Sequence, residues 1–437
     1  MVCMPVAITK YATTADGLSI AYQDLGGSGP AVVWLTGTAS HVELLWEIPG
    51  WAHLIRRLSL VSRFVWFDKR GAGLSDRTLG SGLLEDRIED IRAVMDTVGL
   101  ESAVIIGSSE SGGIAALFAA THPQRVDQLI MVSSWAYAPA LGEFSSVFEE
   151  SWGEGVLMEL AWAQGMRDQE LLGRIERAMA TPTGVAGLVR AIGSIDVRPV
   201  LPLVSARARV IHCTGDPVVP IEHAREVAAL LPHGDLVEID GAFHMSARPT
   251  DVDLLADAIE EVVVGPERNS PHSADRALAT VLFTDIVGST DQAAALGDAR
   301  WAEILDDHDR ICSRAVGEAR GRIVKMTGDG LLATFDGPAT AITAAHQMID
   351  RLGVLGMHLR AGIHTGEVER RGDDIGGIGV HLAARVMGAA GDDEVWVSST
   401  VPGLTVGAPI EFTPMGEHDL KGIPGRWQLF GARISAA

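Results

Sequence analysis

Two aspartates in the second half of this 437-residue chain stand where strand-like runs end. Asp285 closes the β-branched and apolar run that begins at Ala279, and Asp329 is the centre of a Gly-Asp-Gly turn between two further strand-like runs. A carboxylate at the end of a buried strand is unfavourable unless a cation or a hydrogen-bond donor meets it. Two carboxylates on adjacent strand ends suit a pair of hard divalent cations, which prefer oxygen ligands. The pattern therefore predicts a two-cation site built from Asp285 and Asp329.

Three residues of the first half have the types and order of a nucleophilic triad. Ser109 lies in the stretch Gly-Ser-Ser-Glu-Ser-Gly-Gly, between a strand-like and a helix-like run, which is the setting of a nucleophile elbow. The elbow motif has Gly at the position of Ser111, and serine is small enough to keep the turn. Asp216 and His244 each follow a later strand-like run. We expect Ser109 to attack an acyl carbon, His244 to accept its proton and Asp216 to orient the imidazole.

The elements around this triad alternate between strand-like and helix-like runs. Residues 31–36, 60–67 and 103–106 are short apolar runs, and segments with apolar residues three and four apart lie between them. Such alternation predicts a mainly parallel sheet covered by helices on both faces, with antiparallel strands leading in. We place this α/β domain at residues 1–265. A helix-rich insertion at about residues 136–202 interrupts the sheet.

A further motif, Phe-Asp-Lys-Arg-Gly-Ala-Gly-Leu-Ser at residues 67–75, precedes the triad. Together with the order Ser, Asp, His it resembles the α/β-hydrolase family over roughly residues 5–265. The resemblance implies two backbone donors for the oxyanion of an acyl-transfer intermediate, the amide of Glu110 and one amide of Gly37–Thr38. The family usually has His-Gly where this chain has Thr-Gly. The resemblance therefore implies an ester-cleaving serine hydrolase with an altered oxyanion loop. It also implies that the insertion at about residues 136–202 covers the site as a cap.

A polar segment with two prolines, residues 266–276, separates the α/β domain from the second half and is interpreted as a linker. In residues 277–437 the strand-like and helix-like runs begin in the order β-α-β-β-α-β. This order predicts a ferredoxin-like α+β domain. Its first helix is predicted as one long element over residues 291–317.

Four ordered motifs in this second domain resemble the catalytic domain of class III nucleotidyl cyclases; they are Phe283–Thr290, Val324–Gly330, Arg360–Glu367 and Gly379–Arg385. The resemblance implies a homodimer with active sites at the subunit interface. One subunit would supply Asp285, Ile286 and Asp329 to two Mg²⁺ or Mn²⁺ ions. The other subunit would supply the residues that read the base and stabilise the transition state.

By their positions in the family motifs, Lys325 and Asp374 would contact the purine. A lysine donates to N1 of adenine and a carboxylate accepts from its exocyclic N6 amine, whereas guanine presents an N1–H and an O6 at those places. Loss of such buried hydrogen bonds discriminates strongly between substrates. The pair therefore indicates ATP rather than GTP.

The remaining family positions concern the phosphates and the transition state. Arg385 would stabilise the charge that develops at the α-phosphate, and Arg360 and Lys421 would contact the β- and γ-phosphates. His381 stands where animal cyclases have Asn, so an imidazole would make the contacts to the ribose and the transition state. The implied reaction is attack of the ribose 3′-hydroxyl on the α-phosphate, with pyrophosphate leaving.

The composition limits the partners of the chain. Acidic residues outnumber basic ones by 57 to 35, and the formal net charge is −22. This excess argues against nonspecific binding to nucleic acid or to an anionic membrane. The N-terminus has no signal-peptide pattern, no apolar run approaches the ~20 residues of a membrane span, and the three cysteines lack metal-ligand spacing. We therefore expect a cytoplasmic protein with reduced, structural thiols.

These patterns lead to one principal hypothesis and two alternatives. The principal hypothesis is a two-domain adenylate cyclase, in which the hydrolase-like domain is a regulatory or second catalytic module for an unknown small-molecule or acyl ligand. The first alternative is an esterase whose cyclase-like half serves mainly for dimerisation. The second is a hydrolase fold with an inert pocket that senses a ligand and controls the cyclase.

Overall fold

The computed structural model describes residues 7–38, 40–78, 84–138, 145–161, 163–193, 195–265, 276–371, 374–405 and 407–435. The chain divides into two compact units, Met1–His272 and Ser273–Ala437. Residues 266–275 of the predicted linker lie outside the described residues. Among the described helices, none combines the length and the apolar content that a membrane span requires.

The first unit contains eight strands, numbered β1 to β8 in chain order: Lys10–Thr13, Ser19–Asp24, Ala31–Leu35, Arg63–Phe67, Ala103–Ser108, Val126–Val132, Ala208–Cys213 and Gly234–Ile239. They form one sheet in the order β1-β2-β4-β3-β5-β6-β7-β8. The pairs β1–β2 and β2–β4 are antiparallel, and every other neighbouring pair is parallel. The predicted fold class, a parallel sheet with antiparallel strands leading in, is confirmed.

Helices cover this sheet; they are Pro49–Val61, Leu84–Thr97, Ser111–Thr121, Ile221–Leu230 and Pro249–Val264. The central strands β3, β4 and β5 are almost continuously buried, because both faces of a parallel sheet are covered. Trp34, Trp51 and Trp66 are each 1% exposed and form a large part of the core. The helix Ser111–Thr121 is buried along its whole length, and its Gly and Ala residues permit that close packing.

The insertion between β6 and β7 contains four described helices, Ser145–Ser151, Val156–Ala161, Gln169–Met179 and Pro182–Gly193. The first two are separated by Gly153 and Gly155, whose φ angles of +99° and +85° cannot continue a right-handed helix. The buried carboxylate of Glu176 accepts hydrogen bonds from the N–H groups of Gly153, Gly155 and Met158. One side chain thus holds the start of the second helix against the third.

The second unit contains strands β9 to β16: Arg276–Ile286, Arg322–Met326, Gly330–Phe335, Leu359–Arg371, Asp374–Gly376, Val395–Ser398, Ile410–Asp419 and Arg426–Ile434. The sheet order is β10-β11-β9-β12-β14-β16-β15, and β13 pairs with β12. The four strands β10-β11-β9-β12 give the predicted ferredoxin-like arrangement, which is confirmed.

The helices of this unit are Ser289–Leu296, Asp298–Glu318, Pro338–Gly353, Ile378–Ala389 and Thr400–Leu404. The prediction of one helix over residues 291–317 is wrong, because Gly297 interrupts the helix. Gly297 has a φ of +77°, a left-handed conformation that commonly ends a helix.

Two of the three cysteines lie among the described residues, and both Cys213 and Cys312 are free and buried. Burial raises the pKa of each thiol to about 12, so both are uncharged and unreactive at neutral pH. Cys3 lies outside the described residues.

Candidate active sites

Ser109 occupies a sharp turn between β5 and the helix Ser111–Thr121. Its φ is +57°, an uncommon conformation for a residue with a side chain and one that is found at functional turns. A Cβ on Gly107 would lie 2.4 Å from the carbonyl oxygen of Ser111, and a Cβ on Gly112 would lie 2.2 Å from a neighbouring hydroxyl. Only glycine therefore fits at these two positions. The turn places the Ser109 hydroxyl at the carboxyl end of the parallel sheet, where the elbow motif predicts it.

Asp216 and His244 are brought together by the loops that follow β7 and β8. His244 Nδ1 lies 2.8 Å from Asp216 Oδ2, and the two residues are 2% and 8% exposed. The N–H groups of Val218 and Val219 donate to Asp216 Oδ1 at 2.8 and 3.0 Å and fix the carboxylate. When Nδ1–H is donated to the carboxylate, Nε2 of His244 is the free base. No hydrogen bond joins His244 to Ser109 in this structure, and such bonds are often long before substrate binds.

A second histidine, His212, lies beside Asp216 and contacts the loop that follows β7. Its Nε2 donates to the carbonyl oxygen of Val219 at 2.8 Å and lies 3.6 Å from Asp216 Oδ2. Burial lowers the pKa of His212, so the ring is neutral at neutral pH and adds no charge beside Asp216. His212 is not part of any motif in the sequence; the available signal was a polar residue near the end of the apolar strand β7.

The insertion between β6 and β7 reaches the loop of His244 through Gln164. The His244 N–H donates to Gln164 Oε1 at 3.3 Å, and the Gln164 N–H donates to the carbonyl oxygen of Met245 at 3.2 Å. The Ala247 N–H donates back to the Gln164 carbonyl oxygen at 3.0 Å. Gln164 therefore fixes the loop that carries the predicted base, a role that no motif indicated.

The two backbone donors implied for an oxyanion are available. Neither the Thr38 N–H nor the Glu110 N–H donates a hydrogen bond to a described residue. Glu110 directly follows Ser109, and Thr38 lies in the loop after β3, which pairs with β5. Two N–H groups without a partner among the described residues, beside the predicted nucleophile, are the elements of an oxyanion hole.

Asp68 forms hydrogen bonds with the loop after β3. Its carboxylate is fully buried and accepts hydrogen bonds from Ser40 Oγ at 2.7 Å and from the N–H groups of Val42 and Leu74 at 3.0 and 2.9 Å. Burial raises the pKa of Asp68 to about 6. One carboxylate thus ties the loops after β3 and β4 together.

Asp285 and Asp329 lie at neighbouring strand ends in the second unit. Asp285 faces Gly330 in the β9–β11 ladder, and the Ile286 N–H donates to the carbonyl oxygen of Asp329 at 2.8 Å. Asp329 Oδ2 accepts a hydrogen bond from Ser289 Oγ at 2.6 Å. The structure therefore places the three residues predicted to hold cations side by side.

Arg360 lies directly across the β9–β12 ladder from Asp285. Its Nε and Nη2 are 3.0 and 2.5 Å from Asp285 Oδ2. A residue predicted to contact phosphates is thus paired with a predicted cation ligand of the same chain. The motifs alone do not reveal this pairing, because it depends on the register of two strands.

The residues at these strand ends fit a divalent cation that arrives with a polyphosphate. Oδ1 of Asp285 and Oδ1 of Asp329 take no part in the hydrogen bonds above. Within the described part of the chain, no group of three or more His, Cys, Asp or Glu side chains converges. Mg²⁺ is commonly bound by one or two carboxylates together with substrate phosphates, rather than by a complete protein cage.

Lys325 and Asp374, the predicted base-reading residues, are neighbours. Lys325 Nζ lies 3.2 and 3.1 Å from the two carboxylate oxygens of Asp374, and about half of each side chain is exposed. A bulge between Ile323 and Lys325 interrupts the β10–β11 ladder, and Asp374 begins β13 at the end of β12. An exposed pair of this kind contributes little to stability, so both groups remain available to a ligand.

His381 and Arg385 are four residues apart on the helix Ile378–Ala389, so they share one face, and both are exposed. Arg385 Nε donates to the carbonyl oxygen of Lys421 at 2.9 Å. The structure thus brings Arg385 and Lys421 together.

Known proteins are similar to each of the two halves of the chain. A family model described as the alpha/beta hydrolase fold matches residues 30–167. The 2-hydroxy-6-oxononadienedioate/2-hydroxy-6-oxononatrienedioate hydrolase of Paraburkholderia phymatum is 28% identical over 142 residues, 31% of this chain and 47% of that protein. A Rhizobium meliloti protein provisionally named adenylate cyclase 3 is 29% identical over 167 residues, 35% of this chain and 27% of that protein. The chain spans less than half the length of these two relatives.

Solved structures similar to this chain include a hydrolase-fold enzyme and a cyclase. The enol-lactonase from Burkholderia xenovorans aligns with a TM-score of 0.49 and 24% identity, over 58% of this chain and 98% of that one. The adenylyl cyclase CyaB from Pseudomonas aeruginosa aligns with a TM-score of 0.35 and 23% identity, over 37% of this chain and 96% of that one. The chain is thus a fusion of an α/β-hydrolase-fold domain with a domain that is similar to adenylate cyclases.

Proposed function

We propose that this protein is an adenylate cyclase that converts ATP to 3′,5′-cyclic AMP and pyrophosphate, acting as a homodimer through its second unit. The observation that carries the proposal is the side-by-side placement of Asp285, Ile286 and Asp329 at adjacent strand ends. The exposed Lys325–Asp374 pair supports ATP as the nucleotide. The 29% identity to a provisionally named adenylate cyclase supports the same activity.

Asp285, Ile286 and Asp329 would hold two Mg²⁺ or Mn²⁺ ions. Bound there, the ions would lower the pKa of the ribose 3′-hydroxyl and neutralise charge on the leaving pyrophosphate. Arg360, which pairs with Asp285 in this structure, would contact β- or γ-phosphate oxygens.

The remaining residues would come from the partner subunit of the dimer. Lys325 and Asp374 would contact the adenine edge, and Lys421 would add a phosphate contact. Arg385 would stabilise the charge that develops at the α-phosphate. His381 lies one helical turn before Arg385 on the same face and would donate to the ribose or to the reacting phosphate.

Exchanging the base-reading pair is expected to change the nucleotide preference. In Lys325→Glu combined with Asp374→Ser, a carboxylate would accept the N1–H of guanine and a hydroxyl would donate to its O6, while both adenine contacts would be lost. We expect kcat/KM for ATP to fall by about 10²-fold and the ratio of GTP to ATP turnover to rise. Initial rates of cyclic AMP and cyclic GMP formation at limiting nucleotide measure both effects.

A matched control for this exchange is the surface ion pair between Glu318 and Arg351, which lies on two helices of the same unit. Glu318→Gln combined with Arg351→Met should leave the nucleotide preference unchanged. If the folded Lys325/Asp374 double variant keeps the wild-type ratio of GTP to ATP turnover, these residues do not read the base.

Two inactive variants are expected to restore activity when they form one dimer. If Asp285 and Arg385 act in the same site from different subunits, a heterodimer of Asp285→Asn and Arg385→Ala has one intact and one doubly damaged site. We therefore expect about half of wild-type activity from purified heterodimers, because a two-fold dimer has two equivalent sites. Differently tagged chains allow the heterodimer to be isolated. Inactive heterodimers would show that the two residues are not contributed in this way.

A second function, hydrolysis of an acyl ester by the first unit, is favoured by a separate observation. The Asp216–His244 pair at 2.8 Å, the strained Ser109 and the free N–H groups of Thr38 and Glu110 form the parts of a serine hydrolase site. In this proposal Ser109 Oγ attacks the acyl carbon while His244 Nε2 accepts its proton. Asp216 stabilises the imidazolium, and the two N–H groups hold the oxyanion.

A further inference from the structure

We propose that Lys69 and Glu110 are positioning residues of the hydrolase-like site, because their buried ion pair sets the orientation of the Gly37–Thr38 peptide that completes the oxyanion hole. This inference rests on the second proposed function, ester hydrolysis at Ser109.

Three adjacent strand ends bring the pair together. Strands β4, β3 and β5 are neighbours in the sheet, and their carboxyl ends lie at the same edge because they are parallel. Lys69 follows β4, Gly37–Thr38 follows β3, and Glu110 follows Ser109 at the end of β5. The side chains of Lys69 and Glu110 are 3% and 1% exposed. A charged pair buried this deeply persists only when its hydrogen-bonding groups are satisfied.

Every donor of the Lys69 ammonium group is used. Lys69 Nζ donates to Glu110 Oε1, to the carbonyl oxygen of Gly37 at 2.7 Å and to Ser111 Oγ at 2.7 Å. The other carboxylate oxygen, Glu110 Oε2, accepts a hydrogen bond from Thr38 Oγ1 at 3.0 Å. The pair therefore forms hydrogen bonds with two successive residues of the loop after β3, Gly37 and Thr38. Lys69 also forms a hydrogen bond with Ser111 in the elbow.

The contact to Gly37 determines where the next amide points. In a trans peptide the C=O of one residue and the N–H of the next point in opposite directions. Because the Gly37 carbonyl is directed at Lys69, the Thr38 N–H is directed away from Lys69 and is left without a partner among the described residues. The ion pair has no net charge, and its proposed effect on the oxyanion is to orient the dipole of the Gly37–Thr38 peptide.

The two departures from the usual hydrolase sequence belong to this network. Ser111, which replaces the Gly of the elbow motif, accepts from Lys69 and donates from its Oγ to the carbonyl oxygen of Thr36 at 2.7 Å. Thr36 stands where the family usually has His. Ser111 is therefore more than a small residue that the turn tolerates, since it links the elbow to the loop that carries the second oxyanion donor.

The test is the double variant Lys69→Met with Glu110→Leu, which removes both charges but keeps the side-chain volumes and the Glu110 backbone N–H. We expect kcat for p-nitrophenyl butyrate to fall by about 10²-fold with KM changed less than about threefold, as for loss of one oxyanion donor. The inhibition constant of a trifluoromethyl ketone with the same acyl chain, which forms a tetrahedral oxyanion on Ser109, should rise by about the factor by which kcat/KM falls. If the pair had a purely structural role, the rise in the inhibition constant of the ketone would not follow the fall in kcat/KM.

The matched control is the Asp24–Arg63 ion pair at the opposite end of β4. Asp24→Leu with Arg63→Met should leave both kcat and ketone affinity at wild-type values. Wild-type kcat and ketone affinity in the folded Lys69/Glu110 variant would overturn the positioning role while leaving ester hydrolysis in place. Wild-type protein that neither cleaves the ester nor binds the ketone would instead overturn ester hydrolysis and, with it, the positioning role.

A second variant covers the case in which the double variant does not fold. Ser111→Ala removes the hydrogen bonds of the Ser111 hydroxyl to Lys69, Glu110 and Thr36 and adds no buried charge. We expect a smaller loss, about tenfold in kcat, together with a matching loss of ketone affinity at unchanged KM. Unchanged kcat and ketone affinity in folded Ser111→Ala protein would count against the network.

Discussion

Asp285→Asn is expected to reduce the rate of cyclic AMP formation by on the order of 10³-fold, because a bound divalent ion contributes several kcal/mol to phosphoryl-transfer transition states and each 1.4 kcal/mol is a factor of ten. Asparagine has the shape of aspartate and can still accept a hydrogen bond from Arg360, so the β9–β12 ladder should persist. What is lost is the negative charge that a cation requires. Cyclic AMP formed at saturating ATP with Mg²⁺ or Mn²⁺ measures the effect.

The same change should weaken cation binding without lowering the melting temperature. Titration with Mn²⁺ in the presence of a non-hydrolysable ATP analogue, followed by electron paramagnetic resonance, should report fewer bound ions in Asp285→Asn than in wild-type protein. Asp350→Asn, at an exposed position on the helix Pro338–Gly353, is the control and should behave as wild type. Activity of Asp285→Asn within tenfold of wild type would contradict the two-cation site.

Ser109→Ala is expected to abolish ester hydrolysis by the first unit, with a loss on the order of 10³-fold or more, because the nucleophile of a serine triad has no substitute. The change removes one oxygen and keeps the strained turn, so the fold should be retained. A series of p-nitrophenyl esters with acyl chains of increasing length measures the turnover. Ser59→Ala, on the helix Pro49–Val61, is the control for loss of a buried hydroxyl.

The outcome of the Ser109 experiment also separates the two alternatives when cyclic AMP formation is measured on the same samples. Wild-type protein that cleaves no ester faster than Ser109→Ala, but forms cyclic AMP, would favour an inert pocket that senses a ligand. Ester hydrolysis without cyclic AMP formation would favour an esterase whose second unit serves for dimerisation. Both activities together would show two catalytic modules in one chain.

The fold classes were predictable because periodicity and ordered motifs are local properties of the chain. The alternation of short apolar runs with helical segments predicted the first sheet, and the order β-α-β-β-α-β predicted the second. The elbow at Ser109 was predictable for the same reason, since small residues at fixed spacing define the turn. Gly297 was missed because a single glycine is tolerated within a helical pattern, and its left-handed conformation is visible only in the structure.

The contacts between strands were not predictable from the motifs. Arg360 meets Asp285 only because the register of β9 and β12 places them opposite each other. Gln164 lies 80 residues before His244 in the chain and reaches it only after the insertion has folded back. Lys69 stood in a recognised motif, but its partners come from two other strand ends. Register and tertiary packing, rather than local pattern, decide these pairings.

The buried pair of Lys69 and Glu110 also has a consequence for how such a sequence can diverge. Loss of either partner alone leaves an uncompensated charge in the core, which costs about 3–5 kcal/mol and is a large fraction of the stability of a typical domain. Loss of both is far less costly. Natural variants of this protein should therefore keep both residues or replace both. Variants that keep only one of the two should be rare, because the unpaired buried charge destabilises the folded protein.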